Sequence, residues 1–148
     1  DDAVISGLND FRNISNQIGR FQSIAATDEL GELLIDCAHN IDGMTGLMKT
    51  IASPDLQLHI VFGTVGDKDP SSVLSLIPKN SKMYWCSADV PRSMSTDQLL
   101  KFGTQAGLNG SIYTSVSSAV SSARLSTCND DSTLAVVCGS IFVVGEAL

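Results

Sequence analysis

The segment Leu33-Leu34-Ile35-Asp36-Cys37-Ala38-His39-Asn40 constrains this chain more than any other stretch. Its three consecutive aliphatic residues read as a buried strand of a parallel sheet. The run then breaks into Asp36, His39 and Asn40, and a helical pattern opens at Asp42, a candidate N-cap. In an open α/β sheet, ligands bind at such strand-to-helix corners, just outside the carboxyl ends of the strands. An acid, an imidazole and an amide within five residues exceed what a plain turn requires. This corner is the expected functional centre.

The rest of the sequence repeats the same grammar. Apolar runs predict strands over 20–26, 33–37, 56–62, 82–87, 111–113 and 134–138. Helical spacing predicts helices over 42–52, from Pro70 through Ile77, over 96–106, over 116–125 and over 141–148. The short turn 27–31 makes the first two strands antiparallel neighbours. Strands alternating with helices beyond that point imply βαβ units and a mostly parallel sheet with helices on both faces. The expected fold is therefore α/β, with about six strands and an antiparallel one at the N-terminal edge. Residues 1–19 read as a lead-in or linker, and 20–148 as the domain. The serine-rich stretch 115–126 keeps Val116, Ala119, Val120 and Ala123 at helical spacing, so it is a small-residue helix and not a linker.

Composition narrows the function. A chain of 148 residues fits one domain, and a hydrophobic fraction of 43% suits a packed core. No apolar run approaches the ~20 residues a membrane span needs. No basic stretch followed by an apolar run opens the sequence, so secretion is not expected. Asp1 stands where a methionine would open a complete chain, and a fragment or processed piece is expected. A formal charge of −7 argues against nucleic acid, which is gripped through clustered Lys and Arg. Cys37, Cys86, Cys128 and Cys138 form no CxxC pair. They are expected to be reduced thiols of a cytoplasmic protein, with no metal site.

Several motifs are informative by their absence. No strand is followed by G-x-G-x-x-G, and no nucleophile elbow G-x-S-x-G occurs. The loop Gly63-Thr64-Val65-Gly66-Asp67-Lys68-Asp69 is not a P-loop, because Asp67 separates the glycine from the lysine and no hydroxyl follows. What remains is a set of polar residues just past strand ends. Asp36 and His39 project into a crevice or, equally, cap a turn and sit on the surface. Ser140 either opens a helix N-terminus suited to carboxylate or phosphate, or is an ordinary N-cap. Asp67 and Lys68 belong to the rim or to a solvated loop, His59 falls mid-strand and reads as structural, and Arg20 is the lone base of its region.

Taken together, Gly19-Arg20-Phe21-Gln22, Asp36-Cys37-Ala38-His39-Asn40, Phe62-Gly63 with Asp67-Lys68-Asp69, and Cys138-Gly139-Ser140-Ile141-Phe142 resemble the folylpolyglutamate synthase/dihydrofolate synthase family. The likeness is to its C-terminal domain, which is similar to that of the Mur ligases, and it runs in order over nearly the whole chain. Pro91-Arg92 before a helix fits the same pattern.

The resemblance implies a Rossmann-like domain of an ATP-dependent ligase that joins a folate or pteroate carboxylate to L-glutamate through an acyl phosphate. It implies that Arg20 and Asp36 contact the nucleotide, and that His39 and Ser140 are catalytic and face the glutamate. Asn40, Asp67 and Lys68 would line the rim. ATP and Mg²⁺ would be held by an N-terminal and central ATPase portion that these residues do not include. The chain alone is then an inactive, monomeric, cytoplasmic closing domain of one-carbon metabolism, with neither nucleic acid nor membrane as partner. Two other readings stand beside it: a free-standing module for a small anion or amino acid, and a structural domain whose rim residues are caps. A P-loop upstream of Asp1 would separate the first reading from the second.

Overall fold

The computed structural model describes residues 18–148. Residues 1–17, on which most of the expected lead-in falls, lie outside them. Six strands form one sheet: β1 (Gln22–Ile24), β2 (Leu33–Ile35), β3 (Gln57–Phe62), β4 (Lys82–Trp85), β5 (Asn109–Ile112) and β6 (Thr133–Cys138). The helices among the described residues are α1 (Ile41–Ile51), α2 (Ser71–Leu74), α3 (Thr96–Gln105), α4 (Val116–Ser126) and α5 (Ile141–Ala147). The order across the sheet is β1-β2-β6-β3-β4-β5. Only β1 runs antiparallel, pairing Ser23 with Leu34, and every other neighbouring pair is parallel. The α/β expectation, with its antiparallel first strand, is borne out.

The last strand is one of the two central ones. β6 lies between β2 and β3, with Val136 opposite Leu34 on one side and Ile60 on the other. Alternate side chains of these strands feed two cores, as a doubly covered sheet requires. Leu58, Ile60, Phe62 and Val136 pack with Met44, Leu47 and Met48 of α1, Leu74 of α2 and Leu99 of α3. On the opposite face, Val61, Tyr84, Ala135 and Val137 pack with Ala119 and Ala123 of α4 and Val143 and Val144 of α5. Thus α1 leaves β2 toward one face while α5 leaves the adjacent β6 toward the other. That divergence opens the crevice that α/β sheets use for ligands.

Three local expectations are corrected. Asn40, not Asp42, caps α1: its side-chain oxygen accepts from Gly43 N at 2.8 Å, and Asp42 falls in the first turn. The helix expected through Ile77 stops at Leu74, and Leu76 N and Ile77 N bond instead to the carbonyls three residues back. Its cap, Pro70, offers no side-chain acceptor, and Pro78 supplies no N–H to prolong the turns. The first strand is also trimmed, because Phe21 has φ +44° and lies outside the extended region.

Candidate functional site at the carboxyl ends of the central strands

Asp36 follows β2, and its amide makes one last ladder bond to Val137 O at 3.0 Å. Both carboxylate oxygens are engaged by backbone: Oδ2 accepts from Phe21 N at 2.8 Å and Oδ1 from Ala38 N at 2.7 Å. Gly19 O accepts from Cys37 N at 2.9 Å. Asp36 therefore holds the turn that bears Arg20 against the end of β2, with Arg20 itself exposed. The adjoining Cys37 thiol is pushed up by burial, an effect that Arg20 opposes.

Three residues on, His39 is exposed, and its Nδ1 lies 2.8 Å from Cys37 O. A carbonyl only accepts, so this bond assigns a proton to Nδ1, and in the neutral ring Nε2 then keeps its lone pair. The β6 corner is tied to this one by Gly139 N, which donates to Ala38 O at 2.8 Å. Gly139 has φ +103°, and a Cβ there would stand 2.6 Å from Gly63 O and 2.7 Å from the Phe62 ring. Only glycine lets β6 turn this tightly. Next to it, Ser140 is buried, and its Oγ accepts from Phe142 N at 3.2 Å to cap α5.

A cavity of about 160 Å³ opens over these corners, lined by His39, Lys68, Arg92 and Ser140 together with Thr64 and Phe142. A wider one of about 510 Å³ shares His39 and Lys68 with it and adds Asn40, Asp42 and Asp69. Asp69 Oδ1 accepts from Ser71 N at 2.8 Å, and bonding to Ser71 holds its carboxyl below the ordinary range. The charged lining of the smaller cavity is wholly basic, in a chain whose formal charge is −7.

The structure therefore brings His39, Ser140 and Lys68 to one cavity, and places Asn40 beside the second as a helix cap. Arg20 and Asp36 line neither cavity. Asp67 stays on the outer rim, where its Oδ2 meets Arg92 Nη2 at 2.9 Å. Arg92 and Thr64 are lining residues that sequence reasoning did not single out as a site. Arg92 reaches the cavity because its loop is zipped to the one after β3: Val65 bridges Ser93, Gly66 N donates to Arg92 O, and Met94 N donates to Thr64 O. The available signal was that Pro91-Arg92, like Asp36 and Asp67, follows a strand on the same carboxyl edge.

The thiols offer no nucleophile here. All four are free; burial pushes Cys86 up to about 12 and Cys138 higher still. Among the described residues, no three His, Cys, Asp or Glu side chains gather as a metal site, and no helix is long and apolar enough to cross a membrane.

A mostly parallel sheet whose two central corners diverge at its switch point defines an α/β domain with a cavity where such folds bind ligands. The chain belongs to the family described as "Mur ligase, glutamate ligase domain", whose pattern matches residues 19–141. A curated relative from Halobacterium salinarum, described as a probable bifunctional folylpolyglutamate synthase/dihydropteroate synthase, is 31% identical over 149 residues, covering 99% of this chain and 17% of that protein. Among solved structures, the bifunctional folylpolyglutamate synthase/dihydrofolate synthase of Yersinia pestis complexed with AMPPNP and Mn is 25% identical, with TM-score 0.71, over 86% of this chain and 30% of that one. E. coli FolC in complex with DHPP and ADP is 26% identical, with TM-score 0.67, over the same shares. This chain thus spans about a sixth of the curated relative's length.

Proposed function

We propose that this chain is the glutamate-receiving segment of an ATP-dependent folate–glutamate ligase of the folylpolyglutamate synthase/dihydrofolate synthase type, inactive alone and catalytic within a longer cytoplasmic enzyme. One observation carries the reading: in a strongly acidic chain, the cavity at the switch point has only basic residues among its charged lining. L-glutamate brings two carboxylates, and such a lining compensates them. The reaction joins the glutamate nitrogen to a folate or pteroate carboxyl activated as an acyl phosphate, with phosphate as the leaving group. The ammonium must first lose a proton, and in this reading it goes to His39, whose Nε2 keeps a lone pair in the neutral ring while Nδ1 donates to Cys37 O. Ser140 Oγ already accepts from Phe142 N, so its own proton is available to a ligand oxygen.

In this reading Arg20, presented by the turn that Asp36 braces, reaches toward the nucleotide, and Asp36 acts through that turn. ATP and its divalent ion belong to the remainder of the enzyme. This sequence has no P-loop to hold the metal-bound phosphates. Residues 1–19 would link the domain to that remainder. The test is ADP release by a full-length enzyme carrying this segment, measured with L-glutamate and a folate present and with each omitted. His39→Ala and Ser140→Ala are expected to lower glutamate-dependent turnover with folding intact. Unchanged turnover in both variants, or micromolar binding of L-glutamate by this chain alone, would overturn the proposal in favour of a self-sufficient binding module.

A further inference from the structure

We infer that Arg92 is an anion-receiving residue of the cavity and that Asp67 is a built-in competitor, holding Arg92 until an anionic ligand displaces it. The inference rests on the proposed reading of the cavity and adds how that cavity is kept in check.

Three observations converge on this pair. Arg92–Asp67 is the one ion pair among the described residues, with Nη2 to Oδ2 at 2.9 Å, and the two side chains are 58% and 61% exposed. A pair so wet adds little to folding stability, and it exchanges readily. Second, the two backbones are pinned while the side chains are not. The Val65–Ser93 bridge and the bonds Gly66 N to Arg92 O (2.7 Å) and Met94 N to Thr64 O (2.9 Å) fix where both residues start. Only the guanidinium needs to move. Third, Arg92 lines the cavity and Asp67 does not. One residue thus faces two possible carboxylates, its neighbour's outside and a ligand's inside.

The exchange is like for like. Arg92 leaves one carboxylate and takes another carboxylate or a phosphate, so its charge is never stranded. Ligands without an anionic group gain nothing by displacing Asp67, which makes the pair a filter as well as a brake. Asp67 is a positioning residue here, acting through Arg92.

The test is nuclear magnetic resonance of this chain, following the Arg92 Nε–Hε and His39 ring signals during titration with inorganic phosphate and, separately, L-glutamate. It compares wild type, Asp67→Asn, Arg92→Gln and the double variant. The expected result is that the Arg92 signal shifts on anion addition and that Asp67→Asn tightens phosphate binding about two- to fivefold. Arg92→Gln should weaken binding and erase the gain in the double variant. If L-glutamate moves His39 while Arg92 stays still, or if Asp67→Asn leaves affinity unchanged or lowers it, this inference falls and the glutamate reading stands. If neither anion moves Arg92, this inference falls as well, while the glutamate reading is decided by turnover of the full-length enzyme.

Discussion

The chain's two histidines make opposite use of the same chemistry. Each places Nδ1 2.8 Å from an oxygen, Cys37 O for His39 and Tyr84 Oη for His59. His39 stands exposed past the end of β2 and lines a cavity. His59 lies in the middle of β3, 1% exposed, and its Nε2 has no partner. Water can serve the idle nitrogen of the first, whereas for the second that nitrogen is a standing cost. Strand ends are where this fold keeps polar atoms unspent, and strand middles are where it spends them on packing.

The sharpest way to break that comparison is to truncate both. In a full-length enzyme, His39→Ala is expected to lower glutamate-dependent turnover by about 100-fold, as loss of a general base does, with stability moving by less than about 0.5 kcal/mol. Steady-state kinetics beside urea denaturation reads both. A His39→Ala variant that unfolds early with turnover intact would reverse the assignment.

His59→Ala should do the converse. It removes the Tyr84 hydroxyl's partner at 2.8 Å and empties space under α4, so urea denaturation is expected to show a loss of about 2 kcal/mol or more. The folded fraction should keep its response to L-glutamate. An unchanged urea midpoint would mean that the orphaned nitrogen already cancels what the Tyr84 bond contributes.

Acid sharpens the contrast further. Burial, aided by Lys82 and opposed by Asp130, holds His59 below its ordinary 6.5, while the Tyr84 hydroxyl is pushed up by its own burial. Below pH 6.5 the unfolded chain therefore binds a proton that the folded chain refuses. Stability is full above 6.5 and falls as pH drops from there toward the folded-state value. The slope cannot exceed about 1.4 kcal/mol per pH unit for one group. Urea midpoints measured between pH 7.5 and 5.5 should decline in wild type and flatten in His59→Gln. A decline of equal size in the variant would assign the acid response elsewhere.

Much of this division is legible in the sequence, because it follows from period and position. His59 sits between Leu58 and Ile60 in a run that only a strand explains, and Asp36 breaks an aliphatic run where only a strand end can. What stays hidden depends on pairings across the chain. Nothing local in Thr133–Cys138 says that it inserts between β2 and β3, yet that insertion sets Ser140 beside His39. Arg92 enters the cavity only through backbone zippering of two loops, for which neither loop carries a pattern. Apolar spacing alone extends α2 too far, because it does not register that Pro70 supplies no cap and Pro78 no donor.

Asn40 gives the smallest expected effect and the finest test of what rim polarity means. Asn40 and Asp42 are both residues that cap helices well, and the sequence pattern favoured Asp42. The structure instead spends the Asn40 amide oxygen on Gly43 N, with Asp42 left in the first turn, where a negative charge suits the helix dipole. Asn40→Ala should therefore cost about 1 kcal/mol of stability, and Asn40→Asp, which restores an acceptor, should cost a few tenths at most. Thermal melts of the two variants decide it. Since α1 leads out of the turn that carries His39, a frayed first turn would also loosen His39, raising the KM for glutamate in a full-length enzyme more than it lowers kcat. A variant that melts early with both constants unchanged would show that Asp36 and the Gly139–Ala38 bond hold His39 in place without help from the helix.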